Sequence, residues 1–376
     1  MKSDKTTPNV PTLRFPNYNG EWQKTVMGKV CSFRKGYGIA KDDLSSDGTP
    51  CILYGELYTT YKTAIAKTIK SKTSLQSKSL VYSQKDDVII PCSGETAEDI
   101  ATSICVPYDG VLLGGDLTIV HSDLDGAFLS NQINSVRKYD IARIAQGKSI
   151  VHLQADELKK IFIFYPSIQE QRKISAFIDK IDERIEIQNK IISKYETLIK
   201  GLCDMIFRHD KSASLSDLVK CKTSALQENM VSTCPRGEYK VLGASGAIAA
   251  IDTYQFDESG ILVLKDGSKA GKIQFAQGKY SVVGTSVVLI PNEACDARYL
   301  YFAMSSIDFE KYKVGSGIPH IYFKDYSNER IYYPDKALRK KITKTLDFYE
   351  TMVEIERKML SAMQKQKAFL LQSMFI

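Results

Sequence analysis

The chain contains the same long segment twice. Residues 166–207 align without a gap on residues 334–375, at a constant offset of 168 residues. The identical pairs at this offset include His152 and His320, Ile163 and Ile331, Lys173 and Lys341, Asp179 and Asp347, Glu186 and Glu354, and Phe207 and Phe375. So many matches in one ungapped register indicate a tandem duplication. Whatever the first copy folds into, we expect the second copy to fold into as well.

Each copy has the 4-3 hydrophobic spacing of a coiled-coil seam, sustained for about five heptads. The first seam comprises Ile174, Ile178, Ile181, Ile185, Gln188, Ile192, Tyr195, Ile199, Leu202 and Ile206. The second seam comprises Ile342, Leu346, Tyr349, Val353, Glu356, Leu360, Met363, Lys367, Leu370 and Met374. Two long seams in one chain have each other as the nearest partner. We therefore predict two long helices paired antiparallel; the alternative is two unrelated amphipathic helices on separate cores.

The first long helix has an N-terminal signature. Ser167 is placed as an N-cap, and Glu170 three residues later can reach back to the Ser167 N–H, which predicts a capping box. In the second copy Leu338 occupies the place of Glu170. There we expect Asp335 to act as a simple N-cap.

Composition places the chain among ordinary globular proteins, because 43% of its residues are hydrophobic and 25% are charged. No apolar run approaches the ~18 residues of a membrane span, and the N-terminus lacks the apolar core of a signal peptide. The eight cysteines form no CxxC pair, and the four histidines lack metal-ligand spacing. These features predict a cytoplasmic protein with reduced thiols, no metal site and no membrane partner.

Short β-type runs separated by glycine turns fill the sequence on either side of the first long segment. The predicted class is therefore α+β, with two pseudo-repeated globular parts joined by two long helices that form an antiparallel coiled coil. The predicted order is a tail at 1–11, a first globular part at 12–166, a long helix at 167–207, a linker at 208–214, a second globular part at 215–334 and a second long helix at 335–376.

Positive and negative charges nearly balance within each globular part, although the formal net charge of the chain is +7. One stretch between Glu56 and Asp86 is different, because it contains lysines and no acidic residue. Its lysines include Lys62, Lys67, Lys70, Lys72 and Lys78. A loop of this composition suits contact with phosphates, and the alternative is a solvated surface loop.

The arrangement resembles the specificity subunit of type I restriction–modification systems over nearly the whole chain. The residues that carry the resemblance are Leu13-Arg14-Phe15-Pro16 with Trp22, Ser93-Gly94-Glu95-Thr96, Gly114-Gly115-Asp116, and the run from Pro166 to Ile174 that opens the long helix. The resemblance implies that each globular part is a target recognition domain reading one half of a split, asymmetric site in double-stranded DNA. It also implies that the paired helices set the spacer and dock two modification (methyltransferase) subunits, with restriction/translocase subunits joining through the assembled complex.

The candidate DNA-binding residues follow the loops and glycine turns of both globular parts. In the first part they are the five lysines above with Tyr58, Tyr61, Ser93, Gly94, Thr96, Lys148 and Ser149; in the second part they are Lys265, Asp266, Gly267, Ser268, Lys269, Lys272, Ser316, Gly317 and His320. Two alternatives stay open. Many tyrosines are expected to be core residues, and the match of His152 with His320 is explained more simply by packing or capping where the globular part joins the helix.

No catalytic motif appears, neither an Asn-Pro-Pro-aromatic methyltransferase signature nor a phosphate-binding GxxxxGK[ST] loop. We therefore expect a non-catalytic recognition subunit with no cofactor of its own. S-adenosylmethionine, ATP and Mg²⁺ would then belong to partner subunits. The competing hypotheses are a coiled-coil scaffold that binds proteins and never DNA, and an enzyme in its own right.

Overall fold

The computed structural model describes residues 9–147, 150–208, 212–231, 237–292, 296–315 and 317–376. The chain divides into two compact units. Met1–Asn189 with Met359–Ile376 forms the first unit, and Lys190–Lys358 forms the second. Both long helices contribute residues to both units.

The first unit mixes short strands with short helices and contains most of the first long helix. Its strands are β1 (Gln23–Val26), β2 (Cys31–Lys35), β3 (Leu44–Ser45), β4 (Thr49–Ile52), β5 (Ser71–Thr73), β6 (Asp87–Pro91), β7 (Ser93–Gly94), β8 (Ile104–Val106), β9 (Leu112–Leu113), β10 (Leu117–Ser122), β11 (Val151–His152) and β12 (Phe162–Tyr165). Its helices are α1 (Met27–Val30), α2 (Glu56–Thr59), α3 (Ala97–Ile100), α4 (Gly126–Asn134), α5 (Lys138–Ile144), α6 (Ala155–Leu158) and α7 (Ile168–Phe207).

The core of the first unit is the antiparallel sheet β2-β10-β6-β8. Every residue of β6 is buried, and after Asp87 the strand is an apolar run covered on both faces rather than an alternating one. One face packs on α4 through Val88, Val120 and Leu129. The other face packs, through Ile89 and Ile119, in a second apolar cluster with residues of the small sheet β3-β5-β4-β9.

The second unit has a related plan. Its strands are β13 (Ala213–Ser214), β14 (Val219–Thr223), β15 (Tyr239–Gly243), β16 (Gly246–Ile251), β17 (Gly260–Leu264), β18 (Ile273–Ala276), β19 (Tyr280–Val282), β20 (Ser286–Pro291) and β21 (Arg330–Ile331). Its helices are α8 (Leu215–Leu218), α9 (Glu228–Val231), α10 (Ala297–Met304), α11 (Phe323–Tyr326) and α12 (Lys336–Met374).

The central sheet of the second unit, β14-β20-β17-β18, has the same kind of order as that of the first. A short helix follows the sheet in both units and begins with an aspartate cap. Asp125 Oδ1 accepts a hydrogen bond from Phe128 N at 2.8 Å, and Asp296 Oδ1 accepts one from Arg298 N at 2.9 Å. The two globular parts are therefore versions of one α+β fold, as the sequence predicted.

The long helices pair antiparallel, and each unit shows one end of the pairing. In the first unit Ile174 and Ile178, near the start of α7, share an apolar cluster with Leu370 and Met374, near the end of α12. In the second unit the end of α7 packs with the start of α12 in another cluster, which includes Cys203, Phe207, Ile342 and Leu346. All residues of the two predicted seams are buried or half-buried.

The predicted capping box at Glu170 is wrong. Both oxygens of this buried carboxylate accept hydrogen bonds from Arg14, at 2.7 Å from Nε and 2.8 Å from Nη2. A bidentate ion pair with a guanidinium outweighs the hydrogen bond that Glu170 would make to the Ser167 N–H. The simpler prediction for α12 is confirmed, because Asp335 Oδ1 accepts from Leu338 N at 3.0 Å.

Two segments that were predicted to lack structure contribute to the fold. In the predicted tail, Asn9 O accepts a hydrogen bond from Trp22 N at 2.7 Å, and Pro11 is buried. In the predicted linker, Ala213 and Ser214 form β13, which pairs with β21. Residues 209–211 of that linker lie outside the described residues.

Candidate nucleic-acid interface

In the first unit, the Ser93-Gly94 turn meets the loop that ends at His152. Strand β7 pairs antiparallel with β11, which places Ser93 opposite His152. Ser93 Oγ and His152 Nδ1 lie 3.2 Å apart. The loop is closed by Gln146 and His152, whose backbone groups exchange hydrogen bonds of 2.9 and 2.7 Å. The turn and the loop therefore form one surface site.

The second unit builds the same arrangement from different side chains. Asp266 lies opposite His320 in an isolated antiparallel bridge, and Asp266 Oδ1 lies 2.8 Å from His320 Nδ1. Val314 and His320 close the loop with backbone hydrogen bonds of 2.9 and 2.8 Å. Gly267 N donates to Pro319 O at 2.9 Å, which ties the turn to the loop. We call these two arrangements the turn–histidine sites.

The backbone of both sites requires glycine at one position. Gly147 and Gly315, which are equivalent in the repeat, have φ angles of 135° and 96°. A Cβ at Gly147 would lie 2.0 Å from Ile150 O, and one at Gly315 would lie 2.9 Å from Ile318 O. Any other residue would therefore be strained in a left-handed conformation and would also crowd the loop.

Among the residues that the structure describes, each histidine has one ring nitrogen without a hydrogen-bond partner. Nδ1 is held by Ser93 in the first unit and by Asp266 in the second, so Nε2 is the nitrogen that remains. His152 is exposed, and 41% of the His320 side chain is exposed. Both histidines thus belong to exposed loops beside the predicted turns, and neither is a buried packing residue.

Three further predicted residues at the second turn are exposed. Ser268 and Lys269 are exposed. Lys272 is exposed too, and its Nζ donates to Ala244 O at 3.3 Å. On the adjoining strand β18, Gln274 Nε2 donates to Gly243 O at 2.9 Å. These bonds join the turn to the tip of the β15–β16 hairpin.

The sequence reasoning missed this hairpin tip. The signal was present in Gly243-Ala244-Ser245-Gly246, a small-residue turn between two β-type runs. Gly246 has a φ of 108°, and a Cβ there would meet open space. The tip therefore belongs to the same surface as the second turn–histidine site.

The other predicted residues of the two loops have simpler outcomes. Thr96 caps α3, because its side chain accepts from Asp99 N at 3.1 Å. Gly317 is exposed. Lys148, Ser149 and Ser316 lie outside the described residues.

The lysine-rich loop presents four exposed ammonium groups and one that is engaged. Lys62, Lys70, Lys72 and Lys78 are exposed, and Lys72 lies on β5. Lys62 Nζ reaches the carbonyl oxygen of Tyr58 only at 3.5 Å. These four lysines can therefore meet phosphates at little desolvation cost.

Lys67 differs from its neighbours because it is tied to α7. Its Nζ lies 2.6 Å from Asp179 Oδ1 and 2.9 Å from Glu183 Oε1. Its carbonyl oxygen also accepts a hydrogen bond from the Tyr108 hydroxyl at 2.6 Å. Burial lowers the pKa of Lys67, but the two carboxylates outweigh burial and raise it overall. Two carboxylates thus already compensate this ammonium.

The predicted aromatic contacts are partly core residues. Tyr61 packs against the apolar cluster that contains Ile52 and Leu57, and burial raises its pKa to about 12. Burial also raises the pKa of the half-buried Tyr58. Tyr61 therefore matches the core alternative, whereas Tyr58 retains an exposed portion.

Two comparisons of sequence relate the chain to known proteins. A family model described as "Type I restriction modification DNA specificity domain" matches residues 19–197 and 211–364, which is most of the chain. A specificity subunit of the type I restriction enzyme MjaVIII from Methanocaldococcus jannaschii is 28% identical over 123 residues. That alignment covers 32% of this chain and 28% of the relative, so it spans less than a third of either protein.

Solved structures share the fold. The S subunit of a type I restriction–modification system from M. genitalium superposes with a TM-score of 0.63 at 17% identity, covering 98% of this chain and 99% of that one. A chain from a study of complex assembly and conformational transition of the type I restriction–modification system gives a TM-score of 0.54 at 16% identity, covering 93% and 96%. Within the described ranges, no helix combines the length and the apolar composition needed to cross a membrane.

Proposed function

We propose, from the premise that this chain belongs to the type I restriction–modification DNA specificity family, that each globular part reads one half of a divided, asymmetric DNA site. The observation that supports this most strongly is the pair of turn–histidine sites. Their backbone is repeated, but Ser93 stands in one where Asp266 stands in the other. Equivalent loops with different side chains suit two half-sites of different sequence.

The chemistry of the loops fits both parts of DNA recognition. Exposed lysines such as Lys70 and Lys269 would neutralise phosphates, which gives affinity without sequence information. Histidine, serine and aspartate side chains held on tight loops can reach the edges of bases, which gives specificity. Because Nδ1 of His152 and of His320 is already occupied, Nε2 would be the atom that meets a base or a phosphate.

The long helices would set the separation between the half-sites. The 40 residues of α7 correspond to about 60 Å at about 1.5 Å per residue. Duplex DNA rises about 34–36 Å per turn, so a helix of this length matches between one and two turns. This length is an upper limit on the separation, because the reading loops need not lie at the helix ends.

A second apolar stripe on the helices supports docking of modification subunits. The large hydrophobic residues that the described α7 and α12 expose are Phe177, Ile187, Leu198, Met205, Leu338, Phe348, Ile355, Met359 and Phe369. Each of these residues directly precedes a residue of its seam; for Leu338 that residue is Arg339, which extends the spacing of the second seam by three residues. Each helix therefore carries a second apolar stripe beside its seam. Ile187 and Ile355 are equivalent in the repeat, which suits two equivalent docks.

In this proposal the chain is a recognition subunit without a cofactor. S-adenosylmethionine, ATP and Mg²⁺ would be bound by the partner subunits, and the restriction/translocase subunits would join through the assembled complex. The alternative of a scaffold that never meets DNA is not favoured, because the family match covers both globular parts.

The decisive experiment uses the full chain copurified with its modification subunits. Duplexes selected from a random pool should share one divided sequence, and affinity should fall steeply as salt rises. The variants Phe348→Ser and Ile355→Ser should weaken assembly, whereas Lys365→Ser, at an exposed charged position, should not. A complex that binds DNA without sequence preference would refute the proposal.

A further inference from the structure

Two aspartates at equivalent positions of the long helices each accept a cation from the globular part of their own unit. Asp179 on α7 and Asp347 on α12 are identical residues at the repeat offset. Lys67 Nζ lies 2.6 Å from Asp179 Oδ1 in the first unit, and Arg298 Nε lies 2.5 Å from Asp347 Oδ1 in the second. The contact is thus present in both units.

The cations of these two contacts come from unrelated places. Lys67 belongs to the loop between α2 and β5, whereas Arg298 lies in the first turn of α10. The repeat has kept the acceptor on the helix and not the donor on the globular part. Because the two donors are unrelated, the similarity of the contacts is not explained by one inherited side chain. It indicates that an ion pair at this position of the helix is itself important.

Each cation also bridges to a second carboxylate on the same helix face. Lys67 binds Glu183, four residues after Asp179, and Arg298 binds Glu350, three residues after Asp347. Residues three or four apart are neighbours on a helix surface. A cation held by two such carboxylates is fixed both along the helix and around it. We call these contacts the helix clamps.

Arg298 is held firmly on its globular side as well. Its guanidinium carbon lies 4.7, 5.1 and 4.8 Å from the ring centres of Phe275, Tyr301 and Phe302. The Tyr301 hydroxyl also donates to Glu350 Oε1 at 3.2 Å. Three rings and two carboxylates therefore leave this side chain little freedom, so the globular part and the helix are joined through a rigid connection.

A cavity lies beside the second clamp, between the globular part and α12. It has a volume of about 1140 Å³ and is lined on the sheet side by residues such as Lys240, Gln274 and Lys279. The helix side is lined by residues such as Thr351 and Glu354, and Arg298 and Asp347 also border the cavity. The sheet and α12 are separated at this cavity, so the clamp joins them beyond the apolar cluster that Ile342 and Leu346 share with the sheet.

We propose that Lys67 and Arg298 are positioning residues, each of which holds its recognition domain at a fixed angle on its own helix. They thereby restrict the number of base pairs that the protein accepts between the two half-sites. This inference rests on the proposed function, since it concerns the spacing of a divided DNA site. It assigns neither residue to contact with DNA.

The test compares the wild-type complex with clamp variants on a panel of duplexes. The panel keeps both half-sites that the wild type selects and changes the spacer by one or two base pairs. Arg298→Gln removes the cation of the second clamp, Asp347→Asn removes one of its two carboxylates, and Arg298→Lys keeps the charge without the planar fork. Lys222→Gln is the matched control, because Lys222 pairs with Glu258 at 3.3 Å in the same unit but away from the long helices.

We expect Arg298→Gln and Asp347→Asn to select unchanged half-sites while discrimination against wrong spacers falls about fivefold or more. The discrimination of Arg298→Lys against wrong spacers should lie between that of these two variants and that of the wild type. Lys222→Gln should discriminate as well as the wild type does. If Arg298→Gln fails to fold, Asp347→Asn on the helix surface provides the test. A uniform loss of affinity with an unchanged spacer profile would overturn the inference alone, whereas a wild type that selects no divided sequence would overturn the proposed function with it.

Discussion

Lys367 places a charge in the seam of the first unit, and its removal should be costly. Its ammonium lies 2.5 Å from Asp182 Oδ1, and the Asp182 side chain is only 9% exposed. We predict that Lys367→Met lowers the free energy of unfolding by about 3 kcal/mol at pH 7. Methionine keeps the apolar volume of the lysine stem, so the loss comes from a buried carboxylate left without its cation.

The chemistry of Asp182 limits this loss and makes it depend on pH. Burial raises the pKa of Asp182 and Lys367 opposes that effect, so the pKa of Asp182 should rise further in the variant. A carboxyl with an ordinary pKa of about 3.9 can be protonated at pH 7 for about 4 kcal/mol, and at pH 5 for about 1.5 kcal/mol. The loss cannot exceed these limits, because protonation provides an alternative to the unpaired charge.

The sign of the pH dependence follows from the raised pKa. Between the ordinary pKa and the raised one, the folded state binds more protons than the unfolded state, so stability falls as pH rises. Asp182 therefore costs stability at neutral pH, and this cost shrinks as pH falls from the folded pKa towards the ordinary one. The deficit of Lys367→Met relative to the wild type should accordingly shrink from pH 7 to pH 5.

The chain provides a specific reporter for the measurement. Trp22 is the single tryptophan and is buried in the first unit, so its fluorescence during urea titration reports the unfolding of that unit. Lys365→Met, at an exposed position of the same helix, is the control. The double variant Asp182→Leu with Lys367→Leu should be at least as stable as the wild type. A single-variant loss below about 0.5 kcal/mol, or a loss equal at both pH values, would refute the reasoning.

Three further predictions concern the loops and the core. In the assembled complex Lys70→Gln should reduce the slope of log affinity against log salt by about 0.9, whereas Lys67→Gln should leave the slope unchanged because two carboxylates already compensate that ammonium; equal slopes for both variants would contradict this. Phe128→Ala should cost about 3–5 kcal/mol in the Trp22 urea titration, and Tyr139→Ala, 80% exposed, should cost less than about 0.5 kcal/mol; similar midpoints would be inconsistent with a packed aromatic cluster. Asp266→Asn should change the selected sequence in one half-site only and Ser93→Ala in the other, and a change in both halves from either variant would argue against two separate readers.

The long helices could be predicted from the sequence because their signals are local. The predicted starts at residues 167 and 335 lie one residue before the observed helices, Ile168–Phe207 and Lys336–Met374. Heptad spacing and an aspartate cap are properties of neighbouring residues, so they need no knowledge of the rest of the fold.

The side-chain partners could not be predicted, because they come from distant parts of the chain. Glu170 pairs with Arg14, 156 residues away, instead of capping its own helix. Lys67 was grouped with its neighbours by composition, but Glu183, 116 residues later, distinguishes it from them. The repeat offset matched the two histidines, yet no local pattern revealed that Ser93 and Asp266 would be their partners.

The antiparallel pairing also governs when the first unit can fold during synthesis. Phe375 packs against Phe128 with ring centres 5.1 Å apart, and against Trp22 at 6.5 Å. A ribosome adding about 5–20 residues per second needs about 10–30 s to pass from Phe207 to Phe375. Throughout that interval the nascent polypeptide presents Trp22, Phe128 and Ile174 without their last partners. The N-terminal half is therefore made first, but it can complete this aromatic cluster only after Phe375 has been added.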